Sequence, residues 1–204
     1  MKIIGLCGGS GSGKGKVADL FSVYGIMSID TDAVYHDLTS HKSPCLDELV
    51  EEFGESILNI DGSLNRKKLS EIVFKSEDST IKRALLNKIS HKHVLNKTRE
   101  IILEFQENGA EAVLVDAPLL FESGFNKECD AVIAVTADME VRADRVVKRD
   151  GISKNAAMLR IRSQLPDEYL IDNSNYHIIN DGSFDKLEKQ VSALVNEIFP
   201  LKKR

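Results

Sequence analysis

Residues 1–16 read MKIIGLCGGSGSGKGK, and this stretch decides the fold. A short apolar run, 3–7, leads into a glycine-rich turn, then into Lys14 and an amphipathic segment, which is the order strand, loop, helix. The turn matches G-x-x-x-x-G-K with Gly8, Gly13 and Lys14 in place, the signature of a phosphate-binding loop (P-loop). Glycines let successive backbone N–H groups turn toward an anion, and the helix N-terminus adds partial positive charge. The stretch therefore predicts a site for a nucleoside triphosphate such as ATP, with these candidate ligands: Gly9, Gly11, Ser12, Gly13, Lys14, Gly15 and Lys16.

The loop departs from its pattern at one position. Ser or Thr is expected after the lysine, because its hydroxyl holds Mg²⁺, but Gly15 stands there and Lys16 follows. We therefore expect no metal ligand at the usual P-loop position, with Asp30 or Asp116 as candidates to hold Mg²⁺ through water. Lys16 adds positive charge that bound triphosphate would neutralise. The pair predicts reduced turnover rather than loss of ATP binding.

Composition excludes several classes of protein. The chain has 204 residues, a net charge of −5 and a pI of about 5.6, which argues against a general nucleic-acid binder. It has no apolar stretch of membrane-spanning length, and its three scattered cysteines are typical of reduced thiols in a cytoplasmic protein. The basic end, 202–204, reads as a solvated tail. Nothing in the sequence implies an obligate protein partner.

Apolar runs and helical periodicity predict an α/β fold. Strands are predicted at 3–7, 25–30, 112–116, 131–135 and 176–180, and helices at 139–149, 154–164 and 184–198. Strands that alternate with helices predict a mostly parallel five-stranded sheet between two layers of helices, a three-layer α/β/α domain of the P-loop NTPase type. The core is expected at about 1–32, 109–137 and 174–204, with a helical insertion at about 33–108 and a further helical segment at about 138–173.

Acidic residues follow two predicted strands. Asp30 and Asp32 follow the second strand, and Asp116 ends the third. Ligands bind beyond the carboxyl ends of strands in such sheets, so we expect these carboxylates to converge near the phosphates. The alternative is helix capping or turn formation, which Asp performs routinely.

Three arginines share one arc of a predicted helix. Arg142, Arg145 and Arg149 are spaced by three and four residues, so all three can face the same ligand. Phosphoryl transfer needs cations directed at phosphate oxygens. An ordinary solvated stripe paired with nearby carboxylates explains the same spacing equally well.

Several motifs, in order along the chain, resemble the dephospho-CoA kinase family. The opening GLCGGSGSGKGK is similar to that family's P-loop, and Asp30-Thr31-Asp32 to its D-x-D. Further matches are DGSLNRKKL at 61–69, ISHKHV at 89–94, VDAPLLFE at 115–122, RVVKRD at 145–150, RIRSQ at 160–164 and INDG at 179–182. Lys92 replaces the proline that is usual in this family.

The resemblance implies transfer of the ATP γ-phosphate to the ribose 3′-hydroxyl of dephospho-CoA, with Mg²⁺. It implies that Asp32 is the catalytic base, that Lys14 and Arg145 act on the phosphates, that 33–108 is a CoA-binding insertion and that 138–173 is a lid. Arg142 and Arg149, on the same arc as Arg145, are predicted to bind ATP. Asn180 would lie near the adenine of ATP. The dephospho-CoA ligands would be Asp32, Arg66, His91, Asp116 and Leu119.

Two other functions remain open at this point. Gly15 makes a nucleotide- or CoA-binding protein with little catalysis a credible alternative. A P-loop kinase for another nucleoside or nucleotide is the third possibility, which the helical insertion and the DAPLLFE segment disfavour.

Overall fold

The computed structural model describes residues 1–74 and 78–200, so the basic end at 202–204 lies outside the described residues. Five strands are described: β1 Lys2–Cys7, β2 Met27–Asp30, β3 Ala112–Asp116, β4 Ala131–Thr136 and β5 Tyr176–Ile179. They form one sheet in the order β2-β3-β1-β4-β5. The β3–β1, β1–β4 and β4–β5 pairs are parallel. The predicted α/β class with a mostly parallel five-stranded sheet is confirmed.

The strands form because their sequences are almost continuously apolar. The central strand β1 buries Ile4 and Leu6 completely, and β3 buries Val113, Leu114 and Val115. Such runs are typical of parallel strands that are covered on both faces. The second strand begins at Met27 rather than at the predicted 25. Gly25 belongs to the turn before the strand, because its φ is 76° and its N–H donates a hydrogen bond to Ser22 O.

Nine α-helices lie in the described part of the chain: α1 Lys14–Ser22, α2 Thr31–Ser40, α3 Pro44–Phe53, α4 Arg66–Phe74, α5 Ser79–Glu107, α6 Met139–Asp150, α7 Lys154–Arg162, α8 Asp167–Asp172 and α9 Phe184–Ile198. Two short 3-10 helices cover Glu55–Ile57 and Phe125–Glu128. The sequence did not predict α8. No described helix is long and apolar enough to cross a membrane.

The described chain forms two compact units, Asp30–Glu104 on the one hand, and Met1–Ile29 with the chain from Phe105 onward on the other. In the second of these, α1 and α9 pack on the sheet. Their core includes Phe21, Ile133 and Val191, all completely buried. Burial of each large apolar side chain contributes roughly 1.5–3 kcal/mol, which fixes the start of α1 and therefore the P-loop against the sheet.

The unit Asp30–Glu104 is helical in its described residues, with a core of its own. Leu49, Ile57 and Val73 are completely buried there. Asp61 and Gly62 form a turn in this unit, with Gly62 at φ 82°, and an isolated antiparallel bridge joins Leu58 to Leu64 across it. The functional names given to 33–108 and 138–173, a substrate-binding insertion and a lid, stay predictions.

Candidate active site

The P-loop joins β1 to α1 and ends at the helix N-terminus. Gly13 is the N-cap of α1 at φ 92°, and no side chain in the described structure caps this helix. The start of α1 therefore leaves backbone N–H donors available to an anion, with Lys14 at the first helical position. Lys14 Nζ donates a hydrogen bond to Gly8 O at 3.0 Å and lies 3.8 Å from Asp116 Oδ1. The lysine is thus held over its own loop, at the end of β3.

Two arginines of α6 bind the carbonyl groups of this loop. Arg142 Nε donates to Ser10 O at 3.0 Å, and Arg145 Nη1 donates to Gly11 O at 3.1 Å and Ser12 O at 3.4 Å. In a trans peptide the C=O and the following N–H point in opposite directions. The N–H groups of Gly11 and Gly13 are therefore directed away from α6. This orientation presents donors to an anion on the other side of the loop.

Glycine is required where the loop lies against these partners. Gly11 has a φ of 79°, and a Cβ there would collide with the backbone of Arg142. A Cβ at Gly13 would collide with the Asn180 side-chain amide. Both positions combine a left-handed backbone with a neighbour that leaves no room for a side chain.

Asn180 supports the loop from the end of β5. The residue is buried, its Nδ2 donates to Ser12 O at 2.8 Å, and its backbone O accepts from Arg145 Nη2 at 2.8 Å. The structure therefore places Asn180 beside the P-loop. Its predicted position near the adenine of ATP stays a prediction.

The third predicted arginine has a different neighbour. Arg149 pairs with Asp150, at 2.7 Å and 2.9 Å, and its side chain is 62% exposed. Arg160 pairs with the same carboxylate. The hydrogen bond from Arg149, with the charge of both arginines, lowers the pKa of Asp150 to about 2. The structure thus brings Arg142 and Arg145 to the loop and Arg149 to a surface ion pair, and the predicted role of Arg149 in ATP binding remains untested.

The loop carries no hydroxyl after Lys14, so a metal ion at this site would need a carboxylate from elsewhere in the chain. No group of three or more His, Cys, Asp or Glu side chains in the described residues could hold a metal. Gly15 is exposed in α1, and a Cβ added there would meet nothing within 4 Å. Mg²⁺ usually keeps several waters and binds substrate phosphates with one or two carboxylates. The carboxylate that lies beside the loop is that of Asp116, whose Oδ1 is 3.8 Å from Lys14 Nζ, and its predicted part in holding Mg²⁺ stays a prediction.

In the unit Asp30–Glu104, Asp30 and Asp32 begin α2. Asp30 is the N-cap, and its Oδ1 accepts from Asp32 N at 2.9 Å and Ala33 N at 3.2 Å. The capping alternative is therefore correct for one oxygen of Asp30. Asp32 is exposed in the first turn.

Asp32 and Arg66 share an open groove of about 620 Å³, which we call the α2 groove. Its lining residues are Asp30, Asp32, Ala33, His36, Asp37, Ser40 and Arg66. The structure thus brings together two residues that the sequence assigned to dephospho-CoA. It adds His36, for which the sequence gave no signal beyond its spacing of four residues from Asp32 along one helical face.

His91 lies elsewhere in this unit, on α5, and is not among the residues that line the α2 groove. Burial lowers the pKa of His91, so the imidazole is neutral near pH 7. Its neighbours Lys92 and His93 both contact Glu48 Oε2, at 2.7 Å and 2.6 Å. Lys92, in place of the family's proline, lies inside a continuous helix and joins α5 to α3.

The segment after β3 lines a small cavity of about 90 Å³ beside the loop. Its lining includes Gly8, Gly9, Leu119, Glu122 and Gln164. Burial raises the pKa of Glu122. Leu119 is 44% exposed, and its predicted contact with dephospho-CoA is untested.

Sequence reasoning assigned no role to Gln164 or Asp167, which hold the loop and Arg142. Gln164 Oε1 accepts from Ser10 N at 2.8 Å, and Asp167 accepts from Arg142 Nη1. Gln164 belongs to the RIRSQ segment at 160–164, so its resemblance to the family motif could have indicated a role for it. Asp167 has no motif around it.

Comparisons with known proteins find similarity over nearly the full length of the chain. The family model described as dephospho-CoA kinase (CoaE) matches residues 2–186. The dephospho-CoA kinase of Corynebacterium efficiens is 40% identical over 195 residues, which cover 96% of each chain. The crystal structure of TT1252 from Thermus thermophilus is 30% identical with a TM-score of 0.78, and 97% of each chain is covered.

A more distant solved structure agrees in fold. Dephospho-CoA kinase from Campylobacter jejuni has a TM-score of 0.71 at 24% identity, over 97% of this chain and 98% of that one. The family model and the Corynebacterium relative each span far more than half of the chain. This chain, whose P-loop is held by arginines of α6, therefore belongs to the dephospho-CoA kinase family.

Proposed function

We propose that this chain transfers the γ-phosphate of ATP to the ribose 3′-hydroxyl of dephospho-CoA, giving coenzyme A and ADP, the last step of coenzyme A biosynthesis. The 3′-oxygen forms a bond to the γ-phosphorus while the bond from that phosphorus to the bridging oxygen of ADP breaks. The hydroxyl proton goes to the Asp32 carboxylate and then to water. The observation that carries the proposal is the P-loop with its N–H donors and Lys14, in a chain of this family.

On the ATP side, the residues act by position and charge. Lys14 would leave Gly8 O to contact the β- and γ-phosphates, where its charge offsets theirs. Arg145, already at the loop, would stabilise the charge that develops on the transferred group. Arg142 and Asn180 would hold the loop in the conformation that receives the phosphates.

On the acceptor side, the α2 groove supplies a carboxylate and a guanidinium. Asp32 would accept the 3′-hydroxyl proton, and Arg66 would bind a phosphate group of dephospho-CoA, which a planar permanent cation suits well. His91 would act as a neutral hydrogen-bonding group, because burial lowers its pKa. Asp116 and Leu119 complete the proposed acceptor ligands.

A magnesium ion bound with ATP would supply positive charge that offsets the charge of the β- and γ-phosphates. Asp116 or Asp30 would hold it through water, because Gly15 offers no hydroxyl. The protein's own contribution is the carboxylate and the orientation of the loop.

We also place this activity in the cytoplasm. The three cysteines are free thiols, and burial raises the pKa of Cys7 and Cys45 to about 11 and that of Cys129 to about 12. Protonated, partly or fully buried thiols are chemically inert and are typical of a reducing compartment.

One assay separates this function from the alternatives. ADP release is measured with Mg-ATP and, in turn, dephospho-CoA, adenosine or AMP as the acceptor. We expect release with dephospho-CoA alone. Release with adenosine or AMP would favour a nucleoside or nucleotide kinase. Absence of ADP release with all three acceptors, despite ATP binding in calorimetry, would favour a binding protein with little catalysis, which the missing hydroxyl at Gly15 makes the second candidate.

Restoring the hydroxyl at position 15 is expected to raise kcat. A side chain fits there, because a Cβ would meet nothing within 4 Å, so Gly15→Ser with Lys16→Thr should not distort α1. We expect a gain of about tenfold, equal to about 1.4 kcal/mol in the barrier, and half-maximal activity at lower Mg²⁺ concentration. Steady-state kinetics across a Mg²⁺ titration measure both.

Gly15→Ala with Lys16→Thr is the matched control for this gain. It removes the helical glycine with at least as large a gain in stability, up to about 1 kcal/mol, and adds no hydroxyl. An equal gain in the alanine variant, or no gain in the serine variant, would contradict the role given to the missing metal ligand.

A further inference from the structure

The backbone of Ser10, in the middle of the P-loop, is bound on both sides by residues from outside the loop. Its N–H donates to Gln164 Oε1 at 2.8 Å, and its carbonyl accepts from Arg142 Nε at 3.0 Å. The two partners lie 154 and 132 residues away along the chain. A glycine-rich loop has high conformational freedom, so contacts that fix it at one residue reduce the entropy lost when a ligand binds.

Arg142 is itself held by a carboxylate. The residue is only 4% exposed, and Nη1 donates to both oxygens of Asp167, at 2.8 Å and 3.0 Å. A buried guanidinium needs such a partner, because an unpaired buried charge is strongly unfavourable. Asp167 is thereby responsible for the direction in which Nε points, and so for its bond to Ser10.

The loop also packs directly on the side chains of Arg142 and Gln164. A Cβ at Gly9 would collide with Arg142 Nη2 and would lie 3.1 Å from Gln164 Oε1. Gln164 and Asp167 are close in sequence, on either side of Leu165-Pro166, and Pro166 is the N-cap of α8. The connection between α7 and α8 therefore supplies the contact from Gln164, and the first residue of α8 supplies that from Asp167.

From these contacts we infer that Gln164 and Asp167 are positioning residues for ATP. Gln164 acts on the Ser10 N–H directly, and Asp167 acts on the Ser10 carbonyl through Arg142. Together they hold the P-loop at Ser10 in the form in which the following N–H group, that of Gly11, points away from α6. The inference rests on the proposed function only in naming ATP as the ligand of the loop.

The role predicts a selective loss on the nucleotide side. Gln164→Met keeps the length of the side chain but removes the acceptor, so we expect the Kd of the β,γ-imido analogue of ATP, with Mg²⁺, to rise about five- to tenfold. Asp167→Asn should raise it by at least as much, because the charge that orients Arg142 is lost. The KM for dephospho-CoA should stay within twofold of wild type in both variants.

Two further variants serve as controls. Gln164→Glu retains an acceptor oxygen at the same distance and should recover most of the binding that Gln164→Met loses. Glu168→Gln removes one negative charge from the exposed residue next to Asp167 and should leave the Kd unchanged. Calorimetric titration gives the Kd, and thermal melting shows whether each variant is folded.

The result that overturns the inference is binding of the analogue by Gln164→Met and Asp167→Asn as tight as by wild type. Equal losses in the KM of both substrates, or failure of Gln164→Glu to recover binding, would also overturn it. The Kd is measured without an acceptor. A wild-type protein that binds the analogue but does not phosphorylate dephospho-CoA therefore contradicts the proposed function and leaves this inference to be decided by the variants.

Discussion

Asp32→Asn is expected to lower kcat with dephospho-CoA by about 10²–10⁴-fold, the usual contribution of a general base. The carboxylate lies in the first turn of α2 and lines the α2 groove with Arg66. Asparagine has the same shape but cannot accept the proton of the 3′-hydroxyl. The KM for ATP should stay near the wild-type value, because the substitution leaves the P-loop intact. Steady-state kinetics with each substrate varied in turn measure both constants.

Asp37→Asn is the matched control for Asp32. Asp37 lies on the same helix and lines the same groove, so its substitution makes the same change in charge and shape. We expect less than a threefold change in kcat. Thermal melting should show little change for either variant, since both residues are exposed. Equal losses in the two variants would mean that the groove acts through its overall charge, and a loss below threefold for Asp32→Asn would remove it as the base.

The sheet was predictable because its strands carry a strong local signal. Buried parallel strands are continuous apolar runs, and β1, β3 and β4 are such runs. Helix α8 was missed for the opposite reason. It has six residues, fewer than two turns, so no apolar periodicity can develop, and it follows Pro166 without a side-chain cap.

The position of the P-loop was predictable from the sequence, but the residues that the α6 arginines contact were not. Helical spacing places Arg142, Arg145 and Arg149 on one arc, yet a rise of 1.5 Å per residue separates the first and last by about 10 Å along the axis. Arg142 therefore contacts the loop while Arg149 pairs with Asp150. Helical periodicity predicts which face of the helix a side chain lies on. The residue that it contacts depends on what packs beside the helix at that position along its axis.

The residues that hold the loop show the same limit of sequence reasoning. Gln164 and Ser10 are 154 residues apart, and no local pattern links a glutamine before α8 to a backbone N–H after β1. Similarly, the sequence shows that Gly15 lacks a hydroxyl, but only the structure shows that a side chain has room there. The contact of Gln164 with Ser10 and the free space at position 15 both depend on how distant parts of the chain pack.

Arg145→Ala is expected to lower kcat/KM for ATP by about 10²–10³-fold, about 2.7–4 kcal/mol in transition-state stabilisation. The guanidinium donates to Gly11 O and Ser12 O of the loop and to Asn180 O, so it fixes the loop and places a permanent charge at the phosphate site. Arg145→Lys should recover only part of this loss, because an ammonium group cannot reproduce the planar fork. The kinetic constants then separate the two contributions. A loss confined to the KM for ATP indicates loop positioning, and a loss in kcat indicates stabilisation of the transferred charge.

Arg149→Ala is the control that tests the helix face as a whole. Arg149 lies one turn beyond Arg145 on α6 and is 62% exposed in its pair with Asp150, so its removal should change kcat/KM less than threefold. Surface ion pairs of this kind contribute little to stability, and Arg160 still pairs with Asp150 in the variant. A loss in Arg149→Ala as large as that in Arg145→Ala would mean that all three arginines act on bound ATP. In that case α6 would have to change its contacts during turnover, because Asp150 holds Arg149 in this structure.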